Sequence, residues 1–243
     1  MKYAVQLYSL REIAKRDGAE KIFKMAAEAG YDGVEFAGFY GKTPKEIHAL
    51  LNKYNLIGIS AHILPQDVEK NISYIEKLGI KFVFNPWVDL EVFETPTKYA
   101  ELVDITNKAK MMLDSHGVVL GYHNHSQEFN NGNNYVKKLT DDILGLKAEL
   151  DVFWAYVANR DPMEEMKALK EKLVFVHIKE AAKENARESA QPIIGEGAIN
   201  MSKVFEEAKN QGIEWAVLEV EKFPCEENKY LARSLKNMKR FSK

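Results

Sequence analysis

Val118-Val119-Leu120-Gly121-Tyr122-His123-Asn124-His125-Ser126-Gln127-Glu128 is an apolar run that stops abruptly in side chains able to bind a metal ion or move a proton. In an extended segment side chains alternate between two faces, so His123 and His125 are expected on one face and Tyr122 and Asn124 on the other. Three further apolar runs end in the same way: residues 146–151 at Asp151, 173–179 at His177 and Lys179, and 215–221 at Glu219 and Glu221. A pattern repeated in this way implies a fold that gathers strand ends in one place.

Working outward from that stretch, apolar runs with strand character occupy residues 3–8, 32–36, 56–61 and 80–84, and helical spacing fills the intervals. Residues 13–29 carry Ile22, Phe23, Met25, Ala26 and Ala29 at helical spacing, closed by Gly30. Thr43-Pro44-Lys45-Glu46 combines an N-cap, a proline at the first helical position and a capping-box glutamate, which predicts a helix to about Tyr54. Residues 68–78, 97–115, 135–139, 163–170, 201–209 and 230–241 complete the helical set, and Gly79, Gly117 and Gly212 each precede a strand. Eight strand–helix units in this length predict a parallel (β/α)8 TIM barrel of the α/β class, one domain over residues 1–243. A doubly wound open sheet is the alternative, disfavoured because no G-x-G-x-x-G turn follows the first strand.

The bulk numbers exclude other classes. Hydrophobic residues make up 46% of the 243 and charged residues 29%, ordinary for a chain with a full core. A formal charge of −2 gives no strong global field for holding nucleic acid or an anionic membrane and leaves open only a local basic patch. No window approaches a membrane span, and no signal peptide is visible at Met1, so a cytoplasmic location is expected. The single cysteine, Cys225, fits a reducing compartment and reads as inert. Possible assembly into a homo-oligomer is left open by the sequence.

In a parallel barrel the C-terminal strand ends converge on one mouth. The polar residues there are Glu35, His62, Asn85 with Trp87, His123 with His125, Asp151 with Trp154, His177 with Lys179, and Glu219 with Glu221. Burying so many titratable groups beside Val, Leu, Ile and Phe costs several kcal/mol each without partners, and a divalent metal is the simplest partner. Imidazole with carboxylate suits one ion of Mn, Co, Zn, Fe or Mg, and the absence of cysteine argues against a purely structural zinc. Glu149 shares a face with Asp151 but lies deeper, and it reads equally as a ligand, a satisfied carboxylate or an outer-face residue. Lys179 is expected to hold a substrate oxygen or to neutralise Glu180. Glu35, His62, Trp87 and Trp154 are expected against substrate, the tryptophans as an apolar wall for a sugar face. Residues 183–189 read as a solvated loop, secondarily as a lid.

Ala29-Gly30-Tyr31-Asp32-Gly33-Val34-Glu35, Tyr122-His123-Asn124-His125 with Glu128-Phe129, Glu149-Leu150-Asp151-Val152-Phe153-Trp154, His177-Ile178-Lys179-Glu180, Gly195-Glu196-Gly197 and Glu219 together resemble the xylose isomerase-like TIM barrels. The resemblance is to the sugar phosphate isomerase/epimerase group, which also includes inosose dehydratases and keto-sugar lyases. It implies one divalent metal held at the ends of strands five to eight, with Asp151, His177 and Glu219 in the last three places. The first place, commonly Glu, falls on His123, and His125 or Glu128 stand as alternatives for it. The implied chemistry is abstraction of an α proton from a keto or aldo sugar, or its phosphate, through an enediolate. Glu219 is the expected base, with His125 or Glu128 returning the proton. If the proton returns, the protein is an isomerase or epimerase; if a β-oxygen departs, a dehydratase or lyase acting on an inosose or keto-sugar glycoside. A non-catalytic carbohydrate-binding barrel is the remaining alternative. The endonuclease IV branch, with its richer zinc set and basic surface, does not fit, so the expected partner is a small sugar and not nucleic acid.

Overall fold

Short β-branched and aromatic runs alternate with amphipathic helices, and each crossover helix returns the chain to the same side of the sheet, so consecutive strands pair in parallel. The computed structural model describes all 243 residues. In chain order it comprises β1 (Lys2–Gln6), α1 (Arg11–Asp17), α2 (Ala19–Ala29), β2 (Gly33–Phe36), α3 (Pro44–Tyr54), β3 (Ile57–His62), α4 (Val68–Leu78), β4 (Phe82–Asn85), α5 (Leu90–Glu94), α6 (Pro96–Ser115) and β5 (Val119–His123). There follow α7 (Tyr135–Asp142), β6 (Lys147–Asp151), α8 (Val152–Val157), α9 (Pro162–Leu169), β7 (Leu173–Ile178), α10 (Met201–Asn210), β8 (Trp215–Leu218) and α11 (Glu227–Phe241). The strands pair in chain order and β1 closes on β8, so the sheet is a (β/α)8 barrel and not the open alternative.

Local chemistry explains where elements start and stop. Thr43 Oγ1 accepts from the Glu46 amide while the Glu46 carboxylate accepts from the Thr43 amide, so α3 begins with a complete capping box. The helix expected over 13–29 is two helices, because Gly18 adopts φ 88 and breaks the ladder where the apolar spacing alone continues. Two short helices were not expected. Of these, α8 is started by Asp151 itself, whose Oδ1 accepts from the Trp154 amide at 2.9 Å.

Two apolar layers result. One lies between barrel and helices; the other, formed by Ala4, Ile59, Phe84, Phe175, Trp215 and Val217, fills the barrel interior. Two residues after Ala4, Phe175 and Val217 the same inward face carries Gln6, His177 and Glu219, so the interior turns polar toward the C-terminal strand ends. The Phe84 ring occupies the space a side chain at Gly121 would need: a Cβ there would lie 2.6 Å from ring carbons of Phe84. Gly121→Ala is therefore expected to cost about 1–3 kcal/mol as overpacking. A lowered urea midpoint, partly restored by adding Phe84→Leu, checks this; an unchanged midpoint contradicts it. No helix is long and apolar enough to cross a membrane.

Candidate metal and proton-transfer site at the barrel mouth

The inward positions of β2, β3, β5, β6 and β7, with the residue that follows β8, bring Glu35, His62, His123, Glu149, Asp151, His177 and Glu219 together. All but His62 are buried. His177 is central. Its Nδ1 lies 2.7 Å from Glu219 Oε2, and its Nε2 lies 2.7 Å from Glu35 Oε1 and 3.1 Å from Glu149 Oε2. Burial opposes charge on His177 and His62, but Glu149 and Glu35 outweigh it: His177 is held well above the ordinary imidazole range and His62 is raised to about 10. His123 goes the other way, because burial and the neighbouring charges of His177 and His62 both disfavour its cation.

Lys179 is wholly buried, with Nζ 2.6 Å from Glu221, 3.8 Å from Asp151 and 3.9 Å from Glu219. Burial works against its charge, but Glu219, Asp151 and Glu221 raise its pKa. Burial pushes the Asp151 carboxyl up to about 7 despite Lys179. At Glu219 burial is overcome by Lys179 and His177, which hold that carboxyl well below its ordinary value. Glu180 is not the partner of Lys179. Its carboxylate accepts from the amides of Ala181, Gly195 and Ile199 and thereby ties down the loop after β7.

Above these groups opens a cavity of about 510 Å³ lined in part by Tyr8, His62, Trp87, His123, His125, Trp154, Arg187, Glu219 and Glu221. Trp87 and Trp154 flank His125, with ring centroids 4.7 and 5.4 Å from it, and both rings line the cavity. Burial lowers the His125 pKa to about 3, and its Nδ1 is buried without a hydrogen-bond partner. Glu35 and Lys179 do not line the cavity, contrary to the expectation of substrate contact. Glu35 is occupied beneath it by Gln6, Ser60 and His177, and Lys179 by the three carboxylates.

The residues fit a divalent cation. One donor atom each from His123, Asp151, His177 and Glu219 lies within 4.8 Å of the others, and Asp151 Oδ2 is buried with no hydrogen-bond partner. With Nε2–H donated to Glu35, His177 is left with Nδ1 facing Glu219, the tautomer and orientation that a carboxylate behind a ligating imidazole imposes.

The model of the family described as xylose isomerase-like TIM barrel matches residues 23–241. The chain belongs to that family. Among curated proteins it is similar to an inosose dehydratase of Mesomycoplasma hyopneumoniae, 26% identical over an alignment that covers 83% of this chain and 81% of that protein. Its fold is shared by a sugar phosphate isomerase/epimerase from Parabacteroides distasonis, with TM-score 0.77 and 22% identity, covering 100% of this chain and 96% of the other. A D-allulose 3-epimerase from Methylomonas sp. has the same fold at TM-score 0.77 and 13% identity, covering 99% and 98% of the two chains.

Within this xylose isomerase-like barrel, one expected site residue stands apart. Glu128 does not join the mouth cluster. The chain leaves β5 in a 3-10 turn, and the Glu128 carboxylate accepts from Tyr122 Oη at 2.6 Å and from the His125 amide at 2.8 Å. It thereby fixes the turn that presents His125. Burial outweighs these bonds and pushes its carboxyl up to about 7 from 4.5. A raised carboxyl gives stability that is complete below pH 4.5 and is lost as pH rises through 7, up to roughly 3 kcal/mol at 1.36 kcal/mol per unit. Glu128→Gln keeps one oxygen to accept from the His125 amide, and its NH2 group can donate to Tyr122 Oη, which accepts as well as donates. The difference in urea stability between wild type and this variant should therefore shift in favour of the variant between pH 5 and pH 8; a constant difference refutes the assignment. Arg187 is the one lysine or arginine lining the cavity, hydrogen-bonded to Ser126 Oγ and 5.7 Å from the Trp154 ring. Nothing in the polar run 183–189 distinguishes it from a solvated loop, so only the packing of that loop could reveal it.

Proposed function

We propose that the protein is a divalent-metal-dependent sugar isomerase or epimerase that removes the α proton of a keto or aldo sugar. The observation that carries this reading is the buried convergence of His123, Asp151, His177 and Glu219 beneath an open, aromatic-walled cavity. These four residues would hold the ion. Bound there, a divalent cation supplies Lewis acidity toward a sugar carbonyl and its adjacent hydroxyl, favouring the negative charge that develops on loss of the α proton.

The remaining work falls to the chain itself. Glu219 lines the cavity as a charged carboxylate, kept so by Lys179 and His177, and is the assigned base. His125, neutral and with Nδ1 free, is the second proton-transfer group, because Glu128 is occupied elsewhere. Trp87 and Trp154 pack against a sugar face, and Arg187 and Glu221 meet its hydroxyls at the rim. Returning a proton to the opposite face of the carbon, as epimerisation requires, uses both groups.

Dehydration or lyase chemistry is the second reading, supported by the similarity to an inosose dehydratase and by the neutral, unpartnered His125, which suits taking up the α proton and passing it to a departing oxygen. The test loads the purified protein with manganese, measures metal by elemental analysis, and supplies keto sugars deuterated at the α carbon. About one ion per chain, lost in Asp151→Asn, with deuterium released to water and no leaving group, supports the proposal. A β-eliminated product replaces it with the lyase. Metal retained with neither outcome moves the protein to a carbohydrate-binding role.

A further inference from the structure

Below the mouth set lies a second convergence of donors. Glu149 Oε2 stands 2.8 Å from His62 Nε2, 3.1 Å from His123 Nδ1 and 3.1 Å from His177 Nε2, so one carboxylate oxygen is surrounded by imidazole nitrogens from β3, β5 and β7. All four donor atoms lie within 4.8 Å of one another. Glu149 is fully buried and its other oxygen, Oε1, has no hydrogen-bond partner. Glu35 Oε1 adds a second carboxylate, 3.2 Å from His62 Nε2 and 2.7 Å from His177 Nε2. Donors around a four-coordinate zinc at 2.0–2.2 Å stand roughly 3.3–3.5 Å apart, so a small outward relaxation of this cluster forms a tetrahedral cage.

We propose that the barrel contains a second, deeper divalent-cation position formed by His62, His123, Glu149 and His177, which takes zinc and is filled in alternation with the mouth position. The donor types differ. The deep set offers three imidazoles and one carboxylate, with His62 and His123 at the cavity floor, and supplies all four ligands of a tetrahedral ion, which suits zinc; the mouth set offers two imidazoles and two carboxylates below an open cavity, which suits manganese or magnesium with sugar oxygens.

Alternation follows from His177. A neutral imidazole binds through one nitrogen while the other keeps its proton. His177 turns Nε2 toward Glu149 and Nδ1 toward Glu219, so it serves the deep position or the mouth but not both. With the ion at the mouth, Nε2–H is donated to Glu35; with the ion deep, Nδ1–H is donated to Glu219, which then holds a histidine in place instead of a cation. Binding at the deep position releases the protons that the ligating nitrogens carry.

The position of the metal is read independently of turnover, so this inference and the proposed reaction fail separately. Metal-free protein is loaded with zinc alone or manganese alone, crystallised, and examined by anomalous diffraction on both sides of each absorption edge. A zinc peak within bonding distance of His62 Nε2 and Glu149, and a manganese peak between Asp151 and Glu219, are the expected results. In solution, Glu149→Gln and His62→Asn should weaken zinc at least tenfold with manganese changed less than threefold, and Asp151→Asn should do the reverse. A zinc peak at the mouth, no bound zinc, or zinc affinity unaffected by Glu149→Gln overturns the inference, whether or not the manganese protein exchanges α protons. Wild-type crystals decide the matter if a variant fails to fold.

Discussion

Glu219→Gln is expected to lower α-proton exchange by about a thousandfold, within the ~100- to 10,000-fold range typical of a lost general base, while the barrel stays folded. The amide is isosteric with the carboxylate and, in the metal-free protein, still accepts from protonated His177 Nδ1, now 2.7 Å from Glu219 Oε2. Lys179 keeps Glu221 at 2.6 Å and Asp151 at 3.8 Å, so its charge is not stranded. What disappears is the negative charge at the cavity wall and one donor of the mouth set. Exchange rate, metal content and circular dichroism are measured on the same preparation. Glu219→Asp, which keeps the charge but withdraws it from the cavity, should retain more metal than the Gln variant and still lose most exchange. Exchange within tenfold of wild type in Glu219→Gln would remove Glu219 as the base.

His177→Ala should produce the largest loss of stability of any single change in the mouth. The ring is completely buried and touches Glu35 at 2.7 Å, Glu149 at 3.1 Å and Glu219 at 2.7 Å. Its removal strands carboxylates in a water-excluded layer, where breaking a buried pair costs about 3–5 kcal/mol. At this chain length that lowers the thermal midpoint by roughly 10 °C. Glu35→Gln combined with His177→Ala should recover part of the loss, because one uncompensated charge is neutralised; the two changes share a contact and must not add. A midpoint in metal-free His177→Ala within 2 °C of metal-free wild type would show that the carboxylates find other partners.

How far the sequence reaches can be judged residue by residue. Thr43, Pro44 and Glu46 start α3, and Gly79 closes α4 in the left-handed region, as local chemistry requires. The strand-end residues His123, Asp151 and His177 were legible because inward and outward positions alternate along each strand and polar residues interrupt the inward rows. The break at Gly18 was not legible, since the apolar spacing on both sides of it is helical. Nor was α8, because Asp151 reads as a strand-end ligand and only the structure shows that it also caps the next helix.

Glu128 shows the limit most clearly. Three residues from His125 in sequence, it was a candidate base, but Tyr122, on the outward face of β5, takes its carboxylate instead. Glu35 and Lys179 sit at strand ends as expected and yet lie beneath the cavity, Glu35 held by His177 from across the barrel and Lys179 by carboxylates of the strands on either side.

The sequence by itself determined the parallel eightfold alternation, the single domain and the chemical types gathered at the mouth, because side-chain alternation and helix capping are decided within a few residues. Only the tertiary structure decided which oxygen faces which nitrogen. Glu149 Oε2 meets His62, His123 and His177 because closure and register of the barrel bring β3, β5, β6 and β7 to one level. Those distances are set by strand pairings summed around the barrel, and no short stretch of chain contains them.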